Sequence, residues 1–187
     1  MKKLFSLIAL LGLSVSLAGC AAPLTGRGTE HKAAIEKVVA QVKDFGFGKG
    51  SIEKDCAVAF DCSANDFYHF TAMLNDKDFN SDEALCQNLF SLGEKVGFKK
   101  WRRDLHEAEE RYDQTNFTDG FKACKESLAV NEGEGNAGQS EGVIIFGAVP
   151  SDGNPVMVQI QVNSVNKPEF APDSARGYFF SIQTTEG

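Results

Sequence analysis

Few stretches of this chain pair reactive residue types with a spacing that chemistry needs. His106-Glu107-Ala108-Glu109-Glu110 begins like H-E-x-x-H, in which two histidines one helical turn apart hold zinc. Glu110 stands where the second histidine belongs. His106 and Glu110 therefore read as an i,i+4 pair on a solvated helix face, beside Arg103–Glu107 and Glu107–Arg111. Gly138-Gln139-Ser140-Glu141-Gly142 fits G-x-S-x-G, which exposes a serine when it forms a strand-to-helix elbow. Here a loop precedes it, a strand follows, and His31, His69 and His106 all lie upstream, so it reads as a Gly-rich loop. Asp76 to Asp82 alternates oxygen ligands like the start of a calcium loop. Ser81 replaces the glycine such a loop needs at its sixth position and Gln87 the glutamate at its twelfth, which leaves a solvated turn feeding a helix. In Gly46-Phe47-Gly48-Lys49-Gly50-Ser51 the lysine is not followed directly by Ser or Thr, as a phosphate-cradling loop requires.

The ordered signal is at the start. Lys2 and Lys3 are followed by an apolar run, Leu4 to Leu17, relieved only by Gly12 and three serines. Its 14 residues are fewer than the ~20 a spanning helix needs and have signal-peptide proportions. Leu17-Ala18-Gly19-Cys20 follows. This segment resembles the lipobox of bacterial lipoproteins and matches it at every position. The resemblance implies that the Cys20 thiol receives a diacylglyceryl group and that the chain is cut just before Cys20. Two or more acyl chains anchor stably where one does not, at ~0.8 kcal/mol per buried CH₂. The expected domains are a signal peptide over 1–19, a lipidated tether over 20–29, and a globular domain over 30–187 with a Gly-rich loop near 131–141. With Ala21 and not Asp after the cysteine, the sorting pattern of such lipoproteins implies the outer membrane, periplasmic side, in a two-membrane cell. No later apolar stretch is long enough to span: Val143 to Val149 has seven residues and includes Gly147.

Of five cysteines, lipidation of Cys20 leaves Cys56, Cys62, Cys86 and Cys124. An even number outside the cytosol favours two disulfides, and four cysteines permit three connectivities. The preferred pairing is Cys86–Cys124, each beside a helical apolar stripe, with Cys56–Cys62 closing a short bent loop. If 56–62 were an extended strand, its ends would lie ~20 Å apart, beyond disulfide reach. No CxxC is present, and the spacings lack the paired pattern of a zinc site. Neither a metal nor a cofactor is expected.

Two further clusters stand out. Glu126-Ser127 on a predicted helix resembles the Glu-Ser pair of lytic transglycosylases, which implies a glutamic acid protonating a glycosidic oxygen. The Gly-rich turn and Gln-bearing helix of that family are replaced here by an acidic loop and a strand. Lys99-Lys100-Trp101-Arg102-Arg103 is a basic run in an acidic protein. It reads either as a contact for anionic lipid or an acidic partner, with Trp101 as interfacial anchor, or as a core tryptophan with charges at helix ends.

The elements that position these groups follow from periodicity. The 187 residues suit one domain, and 42% hydrophobic content is too high for a disordered chain. A net charge of −7 excludes a general nucleic-acid binder, and loss of Lys2 and Lys3 makes the remainder more acidic still. Thr29 reads as an N-cap to a helix with Ile35, Val38, Val39, Val42 and Phe45 on one face, stopped at Gly46. Residues 56–62 and 67–74 read as strands. Asn80 and Glu83 suggest a capping box for a helix with Leu85, Leu89, Leu92 and Val96, ended by Gly97. Trp101, Leu105, Ala108 and Tyr112 suggest a third helix, and Phe117, Phe121, Cys124 and Leu128 a fourth. The period then changes to two: strands over 143–149, 156–163 and 178–184, the first two joined by the turn Ser151-Asp152-Gly153-Asn154.

The expected fold class is α+β, a helix-rich N-terminal half packed on a C-terminal antiparallel β-meander in a single domain. The expected function is that of a lipid-anchored cell-envelope lipoprotein with a non-enzymatic binding domain, in envelope assembly or as an inhibitor or immunity-type protein. Its partners would be the membrane, through the acyl chains on Cys20, and an envelope protein, with an exposed strand edge as one docking mode. The alternative is a small envelope hydrolase acting on cell-wall glycan or peptide through Glu126, Glu110 and His106.

Overall fold

The computed structural model describes residues 26–55, 66–75, 78–104, 113–129, 142–165 and 177–185. The signal peptide, Cys20, Cys56, Cys62, the 56–62 strand, His106–Glu110 and the 131–141 loop lie outside them.

Each helix forms along an apolar stripe. Helix α1 (Gly28–Val42) buries Ile35, Val38 and Val42. It begins at Gly28, so Thr29 lies inside its first turn and is not the cap. Gly46, at φ +84°, turns the chain out of the 3₁₀ turn Lys43–Phe45 that extends the helix, and Phe47 N–H donates to Val42 O. Helix α2 (Asp82–Lys95) buries Leu85, Cys86, Leu89 and Leu92. Its N-cap is Ser81, one residue after the expected Asn80, and the Ser81 hydroxyl accepts from Ala84 N–H. Gly97 ends it as expected, with Gly97 N–H donating to Glu94 O and Phe98 N–H to Gly93 O, the two bonds of a Schellman stop. Helix α3 (Phe117–Ala129) carries the 117/121/124/128 stripe.

The strands are β1 (Ser51–Lys54), β2 (Tyr68–Asn75), β3 (Lys100–Asp104), β4 (Gly142–Val149), β5 (Val156–Val165) and β6 (Gly177–Thr185). They form one antiparallel sheet in the order β1-β2-β6-β5-β4-β3. The fold is α+β, with the expected meander β4-β5-β6 at its centre and three further strands on its flanks. One row of apolar residues crosses all six strands: Trp101, Ile145, Ile160, Ile182, Phe70 and Ile52. All three helices pack on that face. Side chains alternate along a strand, so the row one residue along faces away: Lys100, Phe146, Gln159, Gln183, His69 and Glu53.

The expected helix beginning at Trp101 is a strand over 100–104. The 101/105/108/112 spacing imitates a helical stripe. Beside the apolar run Val143–Phe146, however, Lys100–Asp104 forms a full antiparallel ladder, and Trp101 itself favours a pleated, half-buried surface. Strand β1 holds a single apolar residue, Ile52, and exists through its pairing with β2. No helix among the described residues is long and apolar enough to cross a membrane.

Candidate functional site

The strand conformation of β3 takes the basic run apart. Trp101 points into the helix-covered core and is 6% exposed. Its Nε1–H donates to Asn116 O at 2.9 Å, and its main chain exchanges bonds of 2.9 and 2.8 Å with Gln114. The expected role of Trp101 as an interfacial anchor is therefore overturned: the indole is covered on its core side and its polar edge is satisfied. Arg103, on the same face, reaches Glu126 Oε2 on α3 at 2.6 Å. Lys100 and Arg102 project to the other face. Lys100 Nζ lies 3.5 Å from Asp113 Oδ2, and the Arg102 guanidinium sits 5.1 Å from the centre of the Phe146 ring. Lys99 is exposed at the start of the strand. Five consecutive residues thus serve two faces and do not make one patch. The Gln114 bridge also occupies the outer edge of β3 at Trp101, where an added strand would have to pair.

The other expected sites resolve in the same way. Cys86 on α2 and Cys124 on α3 are bonded, with Cα atoms 6.0 Å apart. Glu126 lies half exposed between Arg103 and Lys122, while Ser127 is fully buried. Among the described residues the pair does not share a cleft, and the hollow around Glu126 is lined mostly by polar side chains and not by the apolar wall a glycosidic acid needs. In the calcium-like stretch, of which residues 76 and 77 lie outside the described residues, Asp78 pairs with Lys49, Ser81 caps α2 and Asp82 accepts the Tyr178 hydroxyl, so these three oxygen groups each serve a different partner. Phe47, within the glycine-rich 46–51 segment, stacks on Phe180 in the core.

A contact that sequence reasoning missed lies where β1 meets β2. His69 Nδ1 bonds to Asp55 Oδ1, and His69 Nε2 lies 3.8 Å from Glu53 Oε2. Ser51 Oγ donates to Glu53 Oε1 at 3.0 Å. Two carboxylates hold opposite ring nitrogens, so the three groups do not converge on one ion, and no metal-holding group of three occurs among the described residues. Opposite His69, Gln183 Nε2 donates to Gln159 Oε1 at 3.4 Å. The helix-free row thus runs from an acidic end on β1, through neutral amides, to a basic end on β3. The pairing of β1 with β2 aligns His69 with Glu53 and brings Asp55 beside it, which no spacing in the sequence announces.

Concavities also lie among the described residues. A cleft of about 360 Å³ lies between α1, the end of α2 and the end of β4, lined by Lys37, Val38, Gln41, Lys95, Val96, Val149 and Pro150. A more open groove of about 470 Å³ includes Phe98, Lys99 and Phe117. A polar hollow of about 330 Å³ surrounds the Arg103–Glu126 pair. Compared with known proteins, the chain shows no match to a protein family, to a characterised protein or to a solved structure.

Proposed function

We propose that this protein is a lipid-anchored cell-envelope lipoprotein whose globular domain works by binding an envelope partner. The observation that carries the reading is the order Lys2-Lys3, apolar Leu4–Leu17, then Leu17-Ala18-Gly19-Cys20. The Cys86–Cys124 bond supports it, because structural disulfides persist in oxidising compartments outside the cytosol. With Ala21 after the cysteine, the address is the outer membrane, facing the periplasm, in a two-membrane cell. Support for a binding role comes from His69, Gln183 and Gln159, part-exposed polar side chains on the sheet face that no described helix covers, flanked by opposite charges on β1 and β3. The test is fractionation of cells expressing the chain or its Cys20→Ala variant, with in-cell cross-linking from position 159. The wild type stays with the membrane and captures a defined envelope protein, whereas Cys20→Ala leaves the membrane. Equal partitioning of the two chains, or no captured partner above background, contradicts the reading.

A further inference from the structure

The cleft between α1 and α2 is lined by two lysines and, among the described residues, by no carboxylate. Five described lysines sit within 4 Å of a carboxylate: Lys32 with Glu36, Lys49 with Asp78, Lys100 with Asp113, Lys122 with Glu126 and Lys125 with Glu83. Lys37, Lys43, Lys95 and Lys99 have no such partner among the described residues, and two of them, Lys37 and Lys95, line the same cleft. Two cations and no carboxylate on the described lining of one hollow, in a chain with net charge −7, mark it for an anion. Val96 and Pro150 give the cleft an apolar side, backed by the buried Val38 and Val149. The carbonyl-rich end of α2 does not oppose an anion there, because the Leu92, Gly93 and Glu94 oxygens accept from Val96, Phe98 and Gly97 N–H. At about 360 Å³ the cleft matches the lower range of small-molecule sites.

We propose that this cleft binds a small organic anion with an apolar body, a carboxylate or phosphate monoester on a short hydrocarbon chain. Its charge lies between Lys37 and Lys95, Gln41 offers an amide, and its hydrocarbon rests on Val96 and Pro150. The proposal deepens the binding reading above by naming a ligand class, and it is independent of the anchor: its failure leaves the fractionation result untouched. It is tested on the full chain by amine acetylation read peptide by peptide, with the exposed Lys32 and Lys43 as controls. Hexanoate in solution, inorganic phosphate, hexyltrimethylammonium and phosphatidylglycerol vesicles are the probes. Protection of Lys37 and Lys95 at least threefold greater than that of Lys32 and Lys43, by hexanoate or by the vesicles, supports the site and tells a free anion from a headgroup. Equal protection of all four lysines overturns it. So does protection by inorganic phosphate as strong as by hexanoate, because the apolar wall then contributes nothing. Protection by hexyltrimethylammonium overturns it too, since a cation has no place between two lysines. The Lys37→Glu/Lys95→Glu variant, changed only at exposed positions, loses at least tenfold in hexanoate affinity by calorimetry, whereas Lys43→Glu does not. Unchanged affinity in the double variant contradicts the proposal.

Discussion

Phe47 lies face to face on Phe180, ring centres 4.2 Å apart and planes within 5° of parallel. A residue from the glycine-rich turn after α1 is thereby set on the central strand β6, with the Phe79 ring 5.3 Å away. Both stacked rings are fully buried. Phe47→Ala removes that ring and leaves a cavity the packed neighbours fill only in part. We expect a loss of about 3–5 kcal/mol in denaturant unfolding, with Phe47→Leu losing less. A loss below about 1 kcal/mol would show that the turn is not part of the core.

The Cys86–Cys124 bond closes a loop over a sequence separation of 38 and joins α2 to α3. Its main effect is to restrict the unfolded chain. The Cys86→Ala/Cys124→Ala variant is expected to be less stable by about 2–4 kcal/mol, and reducing agent should lower the wild type to the same level. If reductant leaves the wild-type midpoint unchanged, the bond does not form in the protein.

Gly120 in α3 is needed for close approach. A Cβ placed there would stand 2.5 Å from the Phe90 ring and 2.9 Å from the Trp101 indole. Alanine favours an open helix by ~1 kcal/mol over glycine. Overpacking against two buried rings outweighs this, so Gly120→Ala should destabilise by about 1–3 kcal/mol in thermal or denaturant unfolding. A gain in stability would place α3 farther from β3.

Glu30 ties the start of α1 to the β4–β5 turn. Arg27 Nε–H donates to its Oε2 at 2.9 Å and Ser151 Oγ–H at 3.2 Å, while Arg27 also donates to Asn154 O. The Arg27 hydrogen bond, more than any other influence, holds the Glu30 carboxyl below its ordinary range. A depressed carboxylate contributes stability above its unfolded value and loses it as pH falls through the folded one. Glu30→Gln should therefore be less stable than the wild type at neutral pH, with the gap closing on acidification. A gap that widens as the pH falls contradicts this assignment.

What could be read from the sequence depended on whether a signal is local. The stripes of α1, α2 and α3 and the alternation through Val156, Val158, Ile160 and Val162 are local, and each element formed where expected. Ser51–Lys54 carries one apolar residue, and Trp101 heads a spacing that suits a helix. Both segments became strands because a neighbouring strand offered a ladder, which no short window reveals. The same limit hid the Asp55–His69 contact, made by the pairing of β1 with β2, and the placing of Lys37 and Lys95 on one cleft by α1 and α2. The basic run was visible as composition, but its dispersal followed from a period of two in place of 3.6.

The central claim is that a lipid on Cys20 holds the domain at a membrane. Intact-mass and peptide mass spectrometry of the chain recovered from its native membrane tests it most directly. The expected species has Cys20 as its N-terminal residue, carrying a diacylglyceryl group. An intact chain beginning at Met1, found in the soluble fraction with Cys86 and Cys124 open to alkylation, would contradict it.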